Sequence, residues 1–285
     1  MLIELIKNYL KQYQKKDVNP AFVKNAVKEY LQYYILNFLY NSKKYNQELF
    51  FIGGTCLRFC YSLPRLSEDL DFNSLKEVDK NELINDLADY FKSQWQFNGL
   101  EIVKKGRLEK IYLKFPILKK LGLAESGESD KLYVKVEIEK EKVKEFRKET
   151  LLINKESFNF LVNTMSLPDL MAGKLNAIFT REFFQGSDNE IEFKGRDYFD
   201  LIWYMSKDVQ PNLKRLNALL QKNKSQLNFK NNGDLFKKLD ILIKTRNKNH
   251  LKIDLLPFIE DNNFLENWLD QFQELYQAYR KNYLK

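Results

Sequence analysis

The chain of 285 residues has one histidine, two cysteines and no run of 18 apolar residues. Each shortage removes a class of function. His250 has no clustered partner with which to make a metal site or a nucleophilic dyad, and no Gly-x-Ser-x-Gly pattern occurs, so a hydrolase of the serine–histidine type is excluded. Cys56 and Cys60 lie one helical turn apart and are read as small core residues of a reducing compartment rather than as a disulfide or a zinc site. The opening MLIELIKNYLKQYQKK carries acids and amphipathic spacing where a secretion signal has an apolar core. The expectation is a cytoplasmic protein with no membrane partner.

Apolar side chains are plentiful. Hydrophobic residues make up 44% of the chain, with 22 Phe and 16 Tyr, which is a folding composition and not a disordered one. The length allows two domains, each burying its own core. The net charge is +8, and twelve Lys and Arg against three Asp between Lys207 and Lys252 account for all of it. A polyanionic partner is accommodated there, although lysine-rich faces also serve as plain solvated surface.

The chemistry starts in residues 51 to 73, FIGGTCLRFCYSLPRLSEDLDFN. Leu49 to Ile52 reads as a short buried strand that stops at Gly53-Gly54-Thr55, where the backbone can turn sharply and approach a ligand. A helix is predicted from Thr55 to Leu63, ended by Pro64. A strand, a glycine turn and a helix N-terminus together aim backbone N–H groups at one point, which suits a phosphate. The next strand, Asp69-Leu70-Asp71-Phe72, places both aspartates on one face and Leu70 and Phe72 on the other. Cα atoms roughly 6.6 Å apart at ~3.3 Å per residue let two carboxylates share one hard cation or a close pair. Paired Mg²⁺ ions roughly 3.5–4 Å apart can activate an attacking hydroxyl and neutralise a leaving pyrophosphate, the electrostatic demand of phosphoryl transfer.

Gly53-Gly54-Thr55 with Leu57 and Arg58, then Arg65-x-Ser67-x-Asp69-Leu70-Asp71-Phe72, resembles the first motif of the AbiEii/AbiGii-type nucleotidyltransferase toxins, a branch of the polymerase-β-like superfamily. Leu167-Pro168-Asp169-Leu170-Met171-Ala172-Gly173-Lys174 and Arg196-Asp197-Tyr198-Phe199-Asp200-Leu201 fit the same family, so the resemblance covers about residues 45 to 205. It implies an NTP substrate with Mg²⁺ or Mn²⁺ as cofactor, and an RNA acceptor, with the 3′ end of tRNA foremost. It also implies a toxin of a toxin–antitoxin or abortive-infection system held in check by a cognate antitoxin. Arg58, Arg65 and Ser67 are then phosphate-contact candidates beside Gly53, Gly54 and Thr55, although the arginines would equally neutralise Glu68, Asp69 and Asp71. Lys174 is implied to bind the triphosphate, and Asp197 to accept the acceptor hydroxyl's proton or to orient Lys174. Asp200 is a secondary candidate.

The rest of the chain supplies context. Residues 2 to 15 and 21 to 42 read as two amphipathic helices, the second opened by Asn19-Pro20. Glu82 to Phe91 reads as a helix, and Leu100 to Val103 and Leu108 to Phe115 as strands around Gly106. After a loop over 121–130, Leu132 to Glu139 alternates strictly, with Val134, Val136 and Ile138 inward and Glu137 and Glu139 sharing the outward face. Either glutamate is placed to be a third metal ligand or plain solvated surface, and similarity to the family favours Glu137. Helices are predicted over Leu167 to Phe179, from Arg196 after a polar loop over 185–195, and over 212–222, 233–247 and 262–283. Trp203 and nearby tyrosines are expected to be available for stacking on RNA bases.

The predicted fold is α/β (α+β): a polymerase-β-like nucleotidyltransferase core with a mixed sheet flanked by helices over 1–165, then a helical bundle over 166–285 that contributes Lys174 and Asp197 to the cleft. The predicted activity is metal-dependent transfer of an NMP from an NTP to RNA. Transfer to a small molecule or a protein side chain, and a catalytically silent RNA- or partner-binding module, are the alternatives.

Overall fold

The computed structural model describes residues 1–14, 18–106, 109–182 and 193–284. The chain divides into two units, Met1–Lys142 with Glu149–Thr164, and Val143–Lys148 with Met165–Lys285. In the first, helices α1 (Leu2–Leu10), α2 (Pro20–Asn41), α3 (Gly53–Tyr61) and α4 (Lys80–Trp95) accompany seven strands. These are β1 (Leu49–Ile52), β2 (Asp69–Ser74), β3 (Glu101–Lys105), β4 (Lys110–Pro116), β5 (Lys131–Lys140), β6 (Lys148–Lys155) and β7 (Phe158–Met165), in one sheet of order β3-β4-β5-β2-β1-β7-β6. The sheet is mixed, as expected: β2 runs parallel to β5 and β1 to β7, while β1 is antiparallel to β2.

Alternation fixes which face of the central strands carries chemistry. Leu70 and Phe72 of β2 are fully buried, and Phe72 stacks on Phe51 of β1 at 5.4 Å between ring centroids. Each such buried side chain contributes about 1.5–3 kcal/mol, and a slip of one residue would exchange Leu70 and Phe72 for Asp69 and Asp71. The apolar side of β2 thereby holds its acidic side in register. Strand β5 does the same with Val134, Val136 and Ile138.

Three local expectations change. Helix α2 is not amphipathic: Phe22, Ala26, Val27, Tyr30, Leu31, Tyr34, Ile35 and Leu39 are all buried, because it is covered by α1, α4 and β5 together. Asn19 caps it as predicted, its Oδ1 accepting the Ala21 N–H at 2.8 Å. The first helix stops at Leu10 and continues only as a single 3₁₀ turn, Lys11–Tyr13. Helix α3 begins at Gly53 itself and ends at Ser62, a left-handed C-cap with φ 60°. Leu108 and most of the loop expected over 185–195 fall outside the described residues.

The second unit is helical, with α5 (Leu167–Thr180), α6 (Gly195–Ser206), α7 (Leu213–Lys222), α8 (Asn232–Thr245), α9 (Lys248–Leu255) and α10 (Asn262–Arg280). Asn212, Asn231, Asn247 and Asp261 each cap a helix by accepting first-turn N–H groups. Helix α6 packs on α5, α9 and α10, and its Trp203, Tyr198 and Tyr204 are buried. The expectation that these rings are available to RNA is therefore wrong; they are the core of this unit. A Cβ at Gly195 would lie 2.8 Å from the carbonyl oxygen of Leu251 in α9. Gly195→Ala should cost about 1–3 kcal/mol by overpacking against backbone, read as a lowered thermal midpoint.

Residues Val143–Lys148 are tied to this unit by side chains. Asp169 accepts the Arg147 N–H at 2.8 Å, the Ser166 hydroxyl at 2.5 Å and the Asn212 amide at 2.7 Å. Arg215 donates to the Val143 carbonyl at 3.1 Å and lies 5.1 Å from the centre of the Phe146 ring. Among the described residues, no helix is long and apolar enough to cross a membrane.

Candidate active site

In the first unit the site is built where β1 ends and α3 begins. Gly53 has φ +77°, a conformation that L side chains rarely adopt, and a Cβ there would overlap Oδ2 of Asp71. A Cβ at Gly54 would lie 2.8 Å from Nη2 of Arg65 and 3.0 Å from Oγ of Ser67. The two glycines therefore let Asp71, Arg65 and Ser67 close on the turn, and five of the predicted residues meet at one place. The Thr55 hydroxyl donates to the backbone carbonyl of Asp69, tying the turn to β2. Arg65 is buried and also donates to the Leu66 carbonyl at 2.8 Å. Gln32 of α2 donates to the Ser67 carbonyl at 3.2 Å.

Arg58 is placed differently. Its guanidinium forks onto the buried Glu29 of α2 at 2.9 and 3.3 Å, and it donates to the Leu63 carbonyl at 3.2 Å. Its visible work is to tie α3 to α2.

Strand pairing sets the third acid. Asp71 lies opposite Glu137 and Asn73 opposite Glu139, so Glu137 is the glutamate next to the aspartate pair. Two lysines engage it, however. Lys135 reaches Glu137 at 2.6 Å and Asp69 at 2.7 Å, and Lys110 reaches Glu137 at 2.9 Å. Burial pushes the Asp69 carboxyl above its ordinary range, and Lys135 offsets this only in part. Burial acts the same way on Glu137, but there Lys135 and Lys110 outweigh it and hold the carboxyl below its range. Among the described residues no set of three or more His, Cys, Asp or Glu is gathered to hold a metal. Asp69 and Asp71 fit a hard divalent cation on donor chemistry, as two carboxylates on one strand face. Glu137 becomes a third ligand only if it releases its lysines.

In the second unit Lys174 and Asp197 are paired. The Lys174 ammonium lies 2.8 Å from Asp197 Oδ1 and 2.8 Å from Asp200 Oδ2, and Arg181 pairs with the other oxygen of Asp197. Burial pushes the Asp197 carboxyl up, but Lys174 and Arg181 outweigh it and hold the carboxyl below its usual range. Arg196, the first residue of its motif, turns to Asp254 of α9 at 3.2 Å and covers the Phe258 ring at 4.1 Å. Sequence reasoning passed over Lys135, Lys110 and Arg181. Lys135 shares the outward face of β5 with Glu137, and Arg181 follows Lys174 by seven residues, two helical turns, so both were visible in the spacing.

A family model for the nucleotidyl transferase AbiEii toxin of type IV toxin–antitoxin systems matches residues 37–285. The chain belongs to this family. It is thus a nucleotidyltransferase, and membership carries an NTP substrate and an antitoxin partner with it. Its fold is similar to that of MenT4, the nucleotidyltransferase toxin Rv2826c of Mycobacterium tuberculosis H37Rv, at TM-score 0.57 and 14% identity over 99% of this chain and 94% of that one. JHP933 of Helicobacter pylori aligns at TM-score 0.49 and 20% identity over 90% of this chain and 92% of its own. No curated protein matches the enzyme by sequence.

Of the two cysteines of the enzyme, Cys56 is packed as a small core residue and Cys60 is partly buried. Cys56 is buried with its Sγ 3.2 Å from the Thr164 hydroxyl, and a hydrogen bond with Cys56 together with burial pushes the Cys60 thiol well above its ordinary range.

Proposed function

We propose that the enzyme transfers an NMP from an NTP to a hydroxyl of an RNA acceptor, the 3′ end of a tRNA, and that it does so in the cytoplasm. The observation that carries the proposal is the packing of Asp71, Arg65 and Ser67 against the Gly53-Gly54 turn, with Asp69 on the same strand face. A Gly-Gly turn faced by a guanidinium, a hydroxyl and carboxylates suits a metal-bound triphosphate. Asp69 and Asp71 would hold the Mg²⁺ or Mn²⁺. Bound there, the cation supplies charge neutralisation for the triphosphate and for the departing pyrophosphate.

The chain's own groups divide the remaining work. The backbone of Gly53, Gly54 and Thr55, with Arg65 and Ser67, binds phosphate oxygens, and Lys174 adds a point charge for the triphosphate. The acceptor oxygen attacks the α-phosphorus, the bond to the β-phosphate oxygen breaks, pyrophosphate leaves, and the hydroxyl proton passes to solvent. Two observations support an orienting role for Asp197: both of its oxygens are engaged by cations, and its carboxyl is held low, which makes it a poor base. An RNA acceptor is supported by Lys207, Lys214, Lys222, Lys224, Lys230, Lys237 and Lys244, all exposed on the second unit.

The test is incubation with Mg²⁺, each labelled NTP in turn and total tRNA, resolved on a denaturing gel. Label on tRNA is the expected result and names the nucleotide. Label on the protein band would move the acceptor to a side chain. NTP binding with no label on either would point to a small-molecule acceptor.

A further inference from the structure

The proposed metal site already contains a cation of the chain's own. The Lys135 ammonium bridges Asp69 Oδ2 and Glu137 Oε1, at 2.7 and 2.6 Å, and less than a quarter of its side chain is exposed. This is not a passing surface contact. The parallel ladder sets Asp69 opposite Lys135 and Asp71 opposite Glu137 on adjacent strands, so the backbone register delivers the lysine to the aspartate. Glu137 in turn is shared with Lys110, which lies 2.9 Å away on β4. Two carboxylates and two lysines thus make a neutral cluster on the face where metal chemistry is expected.

We propose that Lys135 is the resident counter-ion of this site and competes with the divalent metal for Asp69. The inference rests on the reading of Asp69 as a metal ligand. A metal drawn to Asp69 meets an ammonium already seated on that carboxylate, and two cations cannot share it without strong repulsion. Loading therefore requires Lys135 to leave Asp69. Glu137 keeps the ammonium nearby, and a triphosphate entering with the metal offers the negative charge that the displaced lysine needs. Metal alone binds weakly; metal with NTP binds well. Lys135 acts here as a positioning residue, coupling occupancy by the cation to occupancy by the nucleotide and keeping the empty site from collecting metal.

The experiment is Mn²⁺ binding to the full-length protein, followed by the electron paramagnetic resonance signal of free Mn²⁺. Without nucleotide, Lys135→Met should bind Mn²⁺ about tenfold or more tighter than the parent, the scale of a coupling between two competing cations. Lys135→Arg keeps a cation in place and should stay close to the parent. A non-hydrolysable NTP analogue should tighten Mn²⁺ binding in the parent and much less in Lys135→Met. If circular dichroism shows that Lys135→Met is not folded, Lys135→Gln takes its place. Asp69→Asn separates the two readings. Equal affinity in the parent and Lys135→Met, with binding lost in Asp69→Asn, overturns the role of Lys135 and leaves the metal site standing. Unchanged binding in Asp69→Asn removes the metal site and the competition together.

Discussion

Replacing Asp69 with Asn is expected to lower the rate of nucleotidyl transfer by about 10³-fold or more, with the fold retained. The fold should survive because the exchange is nearly isosteric and the strand is held by other contacts. Leu70 and Phe72 anchor β2 from the apolar side, and the Thr55 hydroxyl bonds to the backbone of Asp69, not to its carboxylate. Lys135 retains Glu137 as a partner. The transfer should fail because an amide is a poor ligand for a hard cation, and the charge stabilisation lost with the metal is several kcal/mol at about 1.4 kcal/mol per tenfold in rate. Single-turnover transfer of labelled nucleotide, alongside a melting curve, checks this. Transfer within about tenfold of the parent at equal Mg²⁺ would remove Asp69 from the machinery.

The second large effect is on stability. Lys174→Ala takes the ammonium from between Asp197 and Asp200, whose side chains are 6% and 0% exposed. Breaking a buried ion pair by removing one partner typically costs about 3–5 kcal/mol, because the remaining charge stays buried. Arg181 still balances Asp197, while Asp200 loses this cation with its side chain fully buried. For a unit of this size the thermal midpoint should fall by roughly 10 °C. The double variant Lys174→Met, Asp200→Asn should recover a large part of that loss, since Asp197 keeps Arg181 and position 200 no longer carries a buried charge. A fall of less than about 2 °C in Lys174→Ala would show that the three groups are not acting as a buried cluster. Transfer assays on this variant belong below its lowered midpoint, so that lost activity reports on chemistry and not on unfolding.

Much of this was legible in the sequence, and the parts that were not have physical reasons. The glycine turn, the acidic face of β2 and the inward Val134, Val136 and Ile138 of β5 follow from period-two alternation beside a sharp punctuation, which are strong local signals. Strands β6 and β7 were overlooked, although Phe158, Phe160 and Val162 alternate plainly and are buried. Glu156, with φ +52°, turns the chain between them in place of the Gly or Asn that usually marks a hairpin. Helix α9 was hidden for a different reason: only Leu251, Asp254 and Leu255 of its eight residues are buried, too few to show a period. Ion pairs such as Arg58 with Glu29 and Lys135 with Asp69 join residues far apart in sequence, and only the fold decides which of several nearby acids each cation takes. The resemblance to the toxin family was legible because it rests on short motifs whose residues lie next to one another in the chain.

The excursion of Val143–Lys148 into the second unit has a consequence for biosynthesis. The chain leaves the sheet after β5 and returns to lay down β6 and β7, but the groups that fasten the excursion, Asp169 and Arg215, follow both strands in sequence and so emerge after them. Strand β1 emerges from the ribosome more than a hundred residues before β7, its parallel neighbour, so that side of β1 stays unpaired while the intervening chain is made. Neither unit can be released by a single cut, and a fragment ending at Thr164 would carry six residues whose anchors had been removed.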